Sequence, residues 1–261
     1  ISLKAEAAKG DKHEMAFAIP GTTGTMKYFK KIDLNAFKIL RHIYSHKDAT
    51  LRDISNGTSL SLGLVSNCLK KLRSSSLVRE NGNELTTSGL KVLEQFRVDN
   101  AIILAAGAST RFVPLCYDLP KGLLTVKGEI LIERQINQLI EAGIEHIYIV
   151  VGFKKEMFFY LEDKYKEVHL IINPFYNTKS NLESIYLTKE HISNSYICCS
   201  DQYFVNNPFY GYEYDSFCSV VYENSVTKGY FIEMGTHNQI IKGQETKSTG
   251  IRLLGHCFWD D

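Results

Sequence analysis

The sequence predicts two units of different class: a small helical unit closed by a hairpin, then an α/β unit on a mostly parallel sheet. Three observations predict this. Apolar residues recur at helical spacing from Leu34 to Leu72, and after Asp99 they change to short continuous runs separated by helical stretches. The charge also changes sign at that point. Residues 27–97 carry 13 Lys/Arg against 6 Asp/Glu, whereas residues 98–261 carry 14 against 20. Halves of opposite charge suit two domains with different partners. The expected domains are 27–98 and 99–261, after a leader or flexible arm over 1–26 that contains the Pro20-Gly21 turn signal.

With 44% hydrophobic and 23% charged residues, the 261-residue chain can bury a sizeable core. It has no apolar run of the roughly 18 residues that a membrane helix needs, and no secretory signal, so a cytoplasmic location and no membrane partner are expected. The six cysteines are scattered, with one adjacent pair, Cys198-Cys199, which suggests neither a metal clip nor a disulfide framework.

In the first unit, Leu34, Phe37, Ile39, Leu40 and Ile43 share a helical face, with Asp33 or Asn35 available as a cap. Thr50 is suited to cap a second short helix. Leu62, Val65, Leu69 and Leu72 then define a third. Leu77–Glu80 and Glu84–Thr86 flank Asn81-Gly82-Asn83, a turn sequence that predicts a two-stranded wing, and a last helix runs from Thr87 to Phe96. This order resembles the winged helix-turn-helix of bacterial regulators of the MarR kind. The resemblance implies DNA as a partner of residues 61–79, with Lys70, Lys71, Arg73 and Arg79 at phosphates and Ser61, Ser66 and Asn67 at base edges. Dimerisation or docking is the other use of such a module.

In the second unit, buried strands are expected at 101–106, 146–151, 168–172 and 195–199. Helices are expected at 130–142, 154–165 and 181–191. Ligands of such sheets gather at the carboxyl ends of the strands. There the first strand runs into Leu104-Ala105-Ala106-Gly107-Ala108-Ser109-Thr110-Arg111, and Pro120-Lys121-Gly122-Leu123 follows. Small residues let backbone N–H groups approach a triphosphate, and Gly107 lacks the Cβ that would hold it away. Arg111 can bind phosphate oxygens in a bidentate way, and Lys121 can add charge at the scissile phosphate.

The combination of a strand, AAGxxxR and PKxL resembles the signature of nucleotidyltransferases that activate sugar phosphates and related phosphomonoesters. The implied fold is a Rossmann-like nucleotidyltransferase domain, and the resemblance spans 101–259. It places nucleotide contacts at Leu104, Ala105, Ala106 and Gly107, catalytic cations at Arg111 and Lys121, and Mg2+ on Asp201, after the strand at 195–199. The segments Asn173–Leu187 and Thr249–Asp260 are similar to the bacterial phosphocholine cytidylyltransferases and their phosphonate-using relatives. The partners implied are CTP and phosphocholine, with Asn181 and Ser184 near the nucleotide. A quaternary ammonium binds to aromatic faces, and Tyr186, Tyr230 and Trp259 are the candidates for such a cage.

That family takes a second metal aspartate from chain beyond the Phe258-Trp259-Asp260 segment, and Asp260 and Asp261 come too early to match it. A fragment of a longer protein or an incomplete site both remain open at this stage. Two other functions stand beside the cytidylyltransferase. One is a sugar-1-phosphate nucleotidyltransferase. The other is a DNA-binding regulator whose degenerate transferase domain senses nucleotide. A homodimer is left open.

Overall fold

The computed structural model describes residues 32–108, 118–178, 181–236 and 239–260. They form two compact units, one of residues up to 95 together with 233–243, the other of 96–232 together with 244–261.

The first unit is built on three capped helices. In α1 (Leu34–Ser45) the Asp33 carboxylate accepts from the Ala36 N–H at 2.8 Å. Thr50 and Asp53 make a reciprocal capping box on α2 (Leu51–Thr58), and Ser61 caps α3 (Leu62–Ser74). Phe37, Ile39, Leu40, Ile54, Val65, Leu69 and Leu72 are buried, as the helical spacing requires.

The wing is smaller than expected, because only Val78 and Leu85 form a bridge. The intervening turn gives its polar groups to the body of the unit instead of extending the hairpin. Asn83 Nδ2 donates to Ala49 O at 2.8 Å, and Arg73 Nη2 donates to Gly82 O at 3.1 Å and Asn83 Oδ1 at 2.8 Å. Helix α4 (Thr87–Leu93) ends in a 3-10 turn over Glu94–Phe96.

The second unit holds a six-stranded sheet, apart from the residues of its last two strands that fall within 233–243. Its strands are β1 (Asn100–Ala105), β4 (Ile147–Val151), β5 (Val168–Ile172), β6 (Ser195–Cys199), β7 (Phe217–Met234) and β8 (Ile240–Trp259), in the order β5-β4-β1-β6-β8-β7. Strands β5, β4, β1 and β6 run parallel, and β8 pairs antiparallel with β6. A two-stranded hairpin, β2 (Thr125–Val126) with β3 (Glu129–Ile130), precedes α5 (Leu131–Glu141). The continuous apolar runs are explained by burial on both faces. Ala101, Ile103 and Ala105 of β1 join Ile132, Ile136 and Leu139 of α5, whereas Ile102 and Ala106 join Val150 and Ile197.

Two expected helices are shorter. The 154–165 stretch forms a 3-10 turn, Lys155–Phe158, followed by α6 (Tyr160–Lys164). Helix α7 (Asn181–Leu187) stops before His191 because the next residues take tighter i to i+3 bonds, and Thr188 Oγ1 donates to Ile185 O at 2.8 Å. The hairpin β7–β8 was not anticipated. Its strands of 18 and 20 residues greatly exceed the usual length of about 3–10.

Candidate active site

After β1 the chain proceeds to β4 and β5 on one side and returns to β6 on the other. The carboxyl ends of β1 and β6 therefore flank the topological switch point of the sheet, where an open α/β fold binds its ligand. The chain on both sides of this crevice is fixed by backbone bonds. Ser200 N–H donates to Leu104 O at 3.2 Å, and Phe153 N–H donates to Ala106 O at 3.0 Å. Ala105 and Ala106 are buried, Gly107 is exposed, and a Cβ built on Gly107 would meet no atom of the described residues within 4 Å. Arg111 lies outside the described residues.

Opposite this loop stand Lys121 and Asp201. Pro120 leads into a 3-10 turn at Lys121–Leu123, whose Gly122 backs onto the next loop so closely that an added Cβ would stand 3.0 Å from Ser200 Cβ. Lys121 Nζ donates to Asp201 Oδ2 at 3.2 Å, with the lysine side chain 17% and the aspartate side chain 40% exposed. Two residues that are 80 positions apart in sequence are thereby joined at the crevice mouth. Below them, burial and the charge of Asp201 push the Cys199 thiol up to about 11, so it stays protonated and is no nucleophile near neutral pH.

The fit to a metal can be judged from the donors. Among the described residues no group of three or more His, Cys, Asp or Glu side chains could hold an ion, so there is no protein cage. A single accessible carboxylate beside an open crevice fits a hard cation that takes its other ligands from phosphate oxygens and water, as Mg2+ does.

The candidate nucleotide and acceptor residues are distributed unevenly. Asn181 is exposed at the start of α7. Ser184 faces inward, 2% exposed, and its hydroxyl accepts from Asn173 Nδ2 at 3.0 Å. Three residues beyond Asn181 on the helix, Ser184 thus points into the protein and holds α7 to the end of β5. The same Asn173 accepts from the Phe175 N–H at 2.8 Å. Gly152 allows a similarly tight join, since a Cβ there would stand 2.6 Å from Tyr176 Cβ and 2.8 Å from Ala106 O. Beside them, an open cleft of about 500 Å3 is lined by Phe153, Lys154, Lys155 and Tyr176.

The three aromatic candidates are not brought together. Tyr186 is 60% exposed on α7, with Lys189 Nζ 4.9 Å from its ring centroid, so its face already holds a cation. Tyr230 is 48% exposed on β7, the edge strand. Trp259 pairs with Ser195 at the amino end of β6 and packs beside Ile102, Val150 and Ile197. Because β8 runs antiparallel to β6, each step toward Trp259 leads away from Asp201, and four strand steps amount to about 13 Å. Trp259 is thus a partly buried residue at the opposite end of β6 from Asp201.

Sequence reasoning also missed Gln135. It occupies the apolar face of α5 between Ile132 and Leu139, and a polar residue within such a stripe was the available signal.

A doubly covered parallel sheet, a loop of small residues at its switch point and a Lys–Asp pair facing that loop together define a nucleotidyltransferase. Comparison with known proteins agrees. Residues 101–222 match the MobA-like NTP transferase domain, and residues 32–79 match a winged helix-turn-helix DNA-binding family. A choline-phosphate cytidylyltransferase of Streptococcus pneumoniae is 39% identical over 160 residues, which are 61% of this chain and 69% of that protein. The solved structure of a CTP:phosphocholine cytidylyltransferase from the same species superimposes with a TM-score of 0.59 at 40% identity, covering 63% of this chain and 72% of that one. A 2-aminoethylphosphonate cytidylyltransferase of Lancefieldella rimae is 45% identical over 104 residues, 39% of this chain and 42% of its own. The chain belongs to the nucleotidyltransferase family of the bacterial choline-phosphate cytidylyltransferases.

Proposed function

We propose that the α/β unit joins CTP to phosphocholine, or to a similar small phosphomonoester or phosphonate, and releases pyrophosphate. The observation that carries this reading is the Lys121–Asp201 pair at the switch point, together with relatives named for these reactions. In the free protein the two charges neutralise each other. Lys121 would bind phosphate oxygens of an entering triphosphate, and Asp201, released from that pair, would hold Mg2+. The ion supplies charge neutralisation where pyrophosphate departs. The amides of the loop after β1 and Lys121 stabilise charge on the α-phosphate, and Arg111 joins them in this reading. The acceptor phosphate is already anionic near neutral pH, so in-line attack needs no general base. Tyr186 is the exposed ring retained for a quaternary ammonium, which would have to displace Lys189 from its face.

The test is pyrophosphate release from each of the four NTPs with Mg2+ and phosphocholine. Release with CTP that requires phosphocholine supports the proposal. Release that requires a sugar phosphate instead would move the assignment to the sugar-1-phosphate enzymes, and tight CTP binding without any turnover would favour the sensor.

A second proposal concerns the first unit, on the strength of its winged helix-turn-helix match and the +7 charge of residues 27–97. Lys70 and Lys71 are exposed on α3, with Asn67 also exposed and Ser66 half-buried. In this reading they contact phosphates and base edges. Arg73 is committed to the wing turn and Arg79 to Glu84 at 2.7 Å, and the Ser61 hydroxyl caps α3, so these three contribute less than the sequence suggested. Replacing Lys70 and Lys71 with Ala lowers the salt slope of DNA binding by about 2 in this account. An unchanged slope would remove it.

A further inference from the structure

The loop that carries Asp201 is held by side chains from α5 as well as by its own backbone. Gln135 is fully buried, and its Nε2 donates to Cys199 O and Gln202 O, both at 2.9 Å. Two acceptors bound to one nitrogen at these distances are at most about 5.8 Å apart. An extended chain would cover roughly 10 Å in the three residue steps from 199 to 202. One amide therefore keeps Ser200 and Asp201 folded into a tight turn. Its orientation is unambiguous, because the reverse rotamer would set Oε1 against two carbonyl oxygens.

Gln135 Oε1 is buried and has no hydrogen-bond partner among the described residues. A residue serving only to fill the core would avoid that cost, and Leu or Met would complete the apolar stripe of Ile132, Ile136 and Leu139. The neighbouring contacts differ in position. Arg134 Nε donates to Phe204 O at 2.8 Å and Gln138 Nε2 to Phe204 O at 3.2 Å, both beyond the Asp201 turn. On the other flank, Gln202 Nε2 donates to Leu254 O of β8.

The geometry points to Gln135 as a positioning residue for the metal carboxylate. By tying the carbonyls on both sides of Ser200-Asp201, it presents Asp201 toward Lys121 and the space above Gly107 before any ligand arrives. This rests on Asp201 as the metal ligand. Partners one shell out from a metal typically change affinity by about 10–100-fold when they are removed.

The experiment measures Mn2+ binding to the CTP-loaded full chain from the free-ion electron paramagnetic resonance signal. The proteins compared are the wild type, Gln135→Met, Gln138→Met and Asp201→Asn, with CTP affinity in EDTA and thermal unfolding followed in parallel. Gln135→Met is expected to weaken Mn2+ by about tenfold or more, while CTP binding in EDTA changes less than about twofold. Gln138→Met should leave Mn2+ affinity nearly unchanged. If Gln135→Met fails to fold, Gln135→Asn, which keeps the amide but shortens its reach, should show the same selective loss. Wild-type Mn2+ affinity in the folded Gln135 variant, or equal losses in both glutamine variants, would overturn the inference. Wild-type affinity in Asp201→Asn would overturn the metal assignment itself, so the two failures are distinguishable.

Discussion

The loops on the two sides of the switch point are built differently. In the proposed reading the chain after β1 works through its own backbone: Ala105 and Ala106 are small and buried, and among the described residues nothing stands within 4 Å of a Cβ on Gly107. The chain after β6 works through a side chain, Asp201, and depends on distant groups to aim it, with Gln135 on one flank and Lys121 in front. A backbone site announces itself in a short stretch of sequence. A side-chain site that other elements assemble does not.

The largest effect expected from breaking this pair of loops is on the β6 side. Asp201→Ala should reduce kcat for CTP-dependent pyrophosphate release about a thousandfold, because in the proposed reading it removes the carboxylate that holds the ion. Lys121→Met removes a cation from the α-phosphate and should cost about a hundredfold in kcat, with a smaller change in KM for CTP. Steady-state kinetics on both variants checks the order. Equal losses would mean that the two residues act only as a pair.

The next effects are on stability. His256 is 4% exposed among Tyr196, Phe204, Phe209 and Phe217, and burial pushes its pKa down to about 4. The folded state thus binds fewer protons than the unfolded chain, whose histidine titrates near 6.5. Stability contributed by the neutral ring is full above pH 6.5, declines as pH falls, and levels off below about 4, for a loss on the order of 2–3 kcal/mol. Urea unfolding from pH 7.5 to 4 should show that loss shrinking in His256→Gln, and an unchanged profile would contradict it. Gly152→Ala tests the join between β4 and the loop after β1. With Tyr176 Cβ and Ala106 O both within 3 Å of the new methyl, about 1–3 kcal/mol should be lost.

The smallest effect concerns the acceptor. Tyr186→Ala should raise KM for phosphocholine about two- to fivefold, the scale of one exposed cation–π contact, and leave KM for CTP unchanged. Trp259→Phe, at the amino end of the sheet, should leave both unchanged. The reverse pattern would return Trp259 to the site.

Most of the fold was legible because its signals are local. The runs at 101–105, 147–151 and 196–198 are almost wholly apolar and lie mostly buried in the sheet, and the caps Asp33 and Thr50 stand where their chemistry places them, whereas Ser61, read at base edges, caps α3. The wing was overestimated because nothing near Asn83 indicates that its amide is spent on Ala49. Lys121 and Asp201 were legible as candidates, and their pairing was not, since it depends on strand order. The place of Trp259 was not legible for the same reason: only the antiparallel register of β8 against β6 carries it away from Asp201. Gln135 was visible only as a polar interruption of an apolar stripe.

Cleavage by iron tests most directly whether these two loops hold the nucleotide and the ion. The CTP complex is loaded with Fe2+ in place of Mg2+ and treated with ascorbate and peroxide, and the cut sites are read by mass spectrometry. Cuts confined to the chain around residues 104–108, 121 and 200–202, and abolished by Asp201→Ala, are the predicted result. Cuts near Asn194 and Trp259, or a pattern indifferent to Asp201, would place the ion elsewhere and contradict the account.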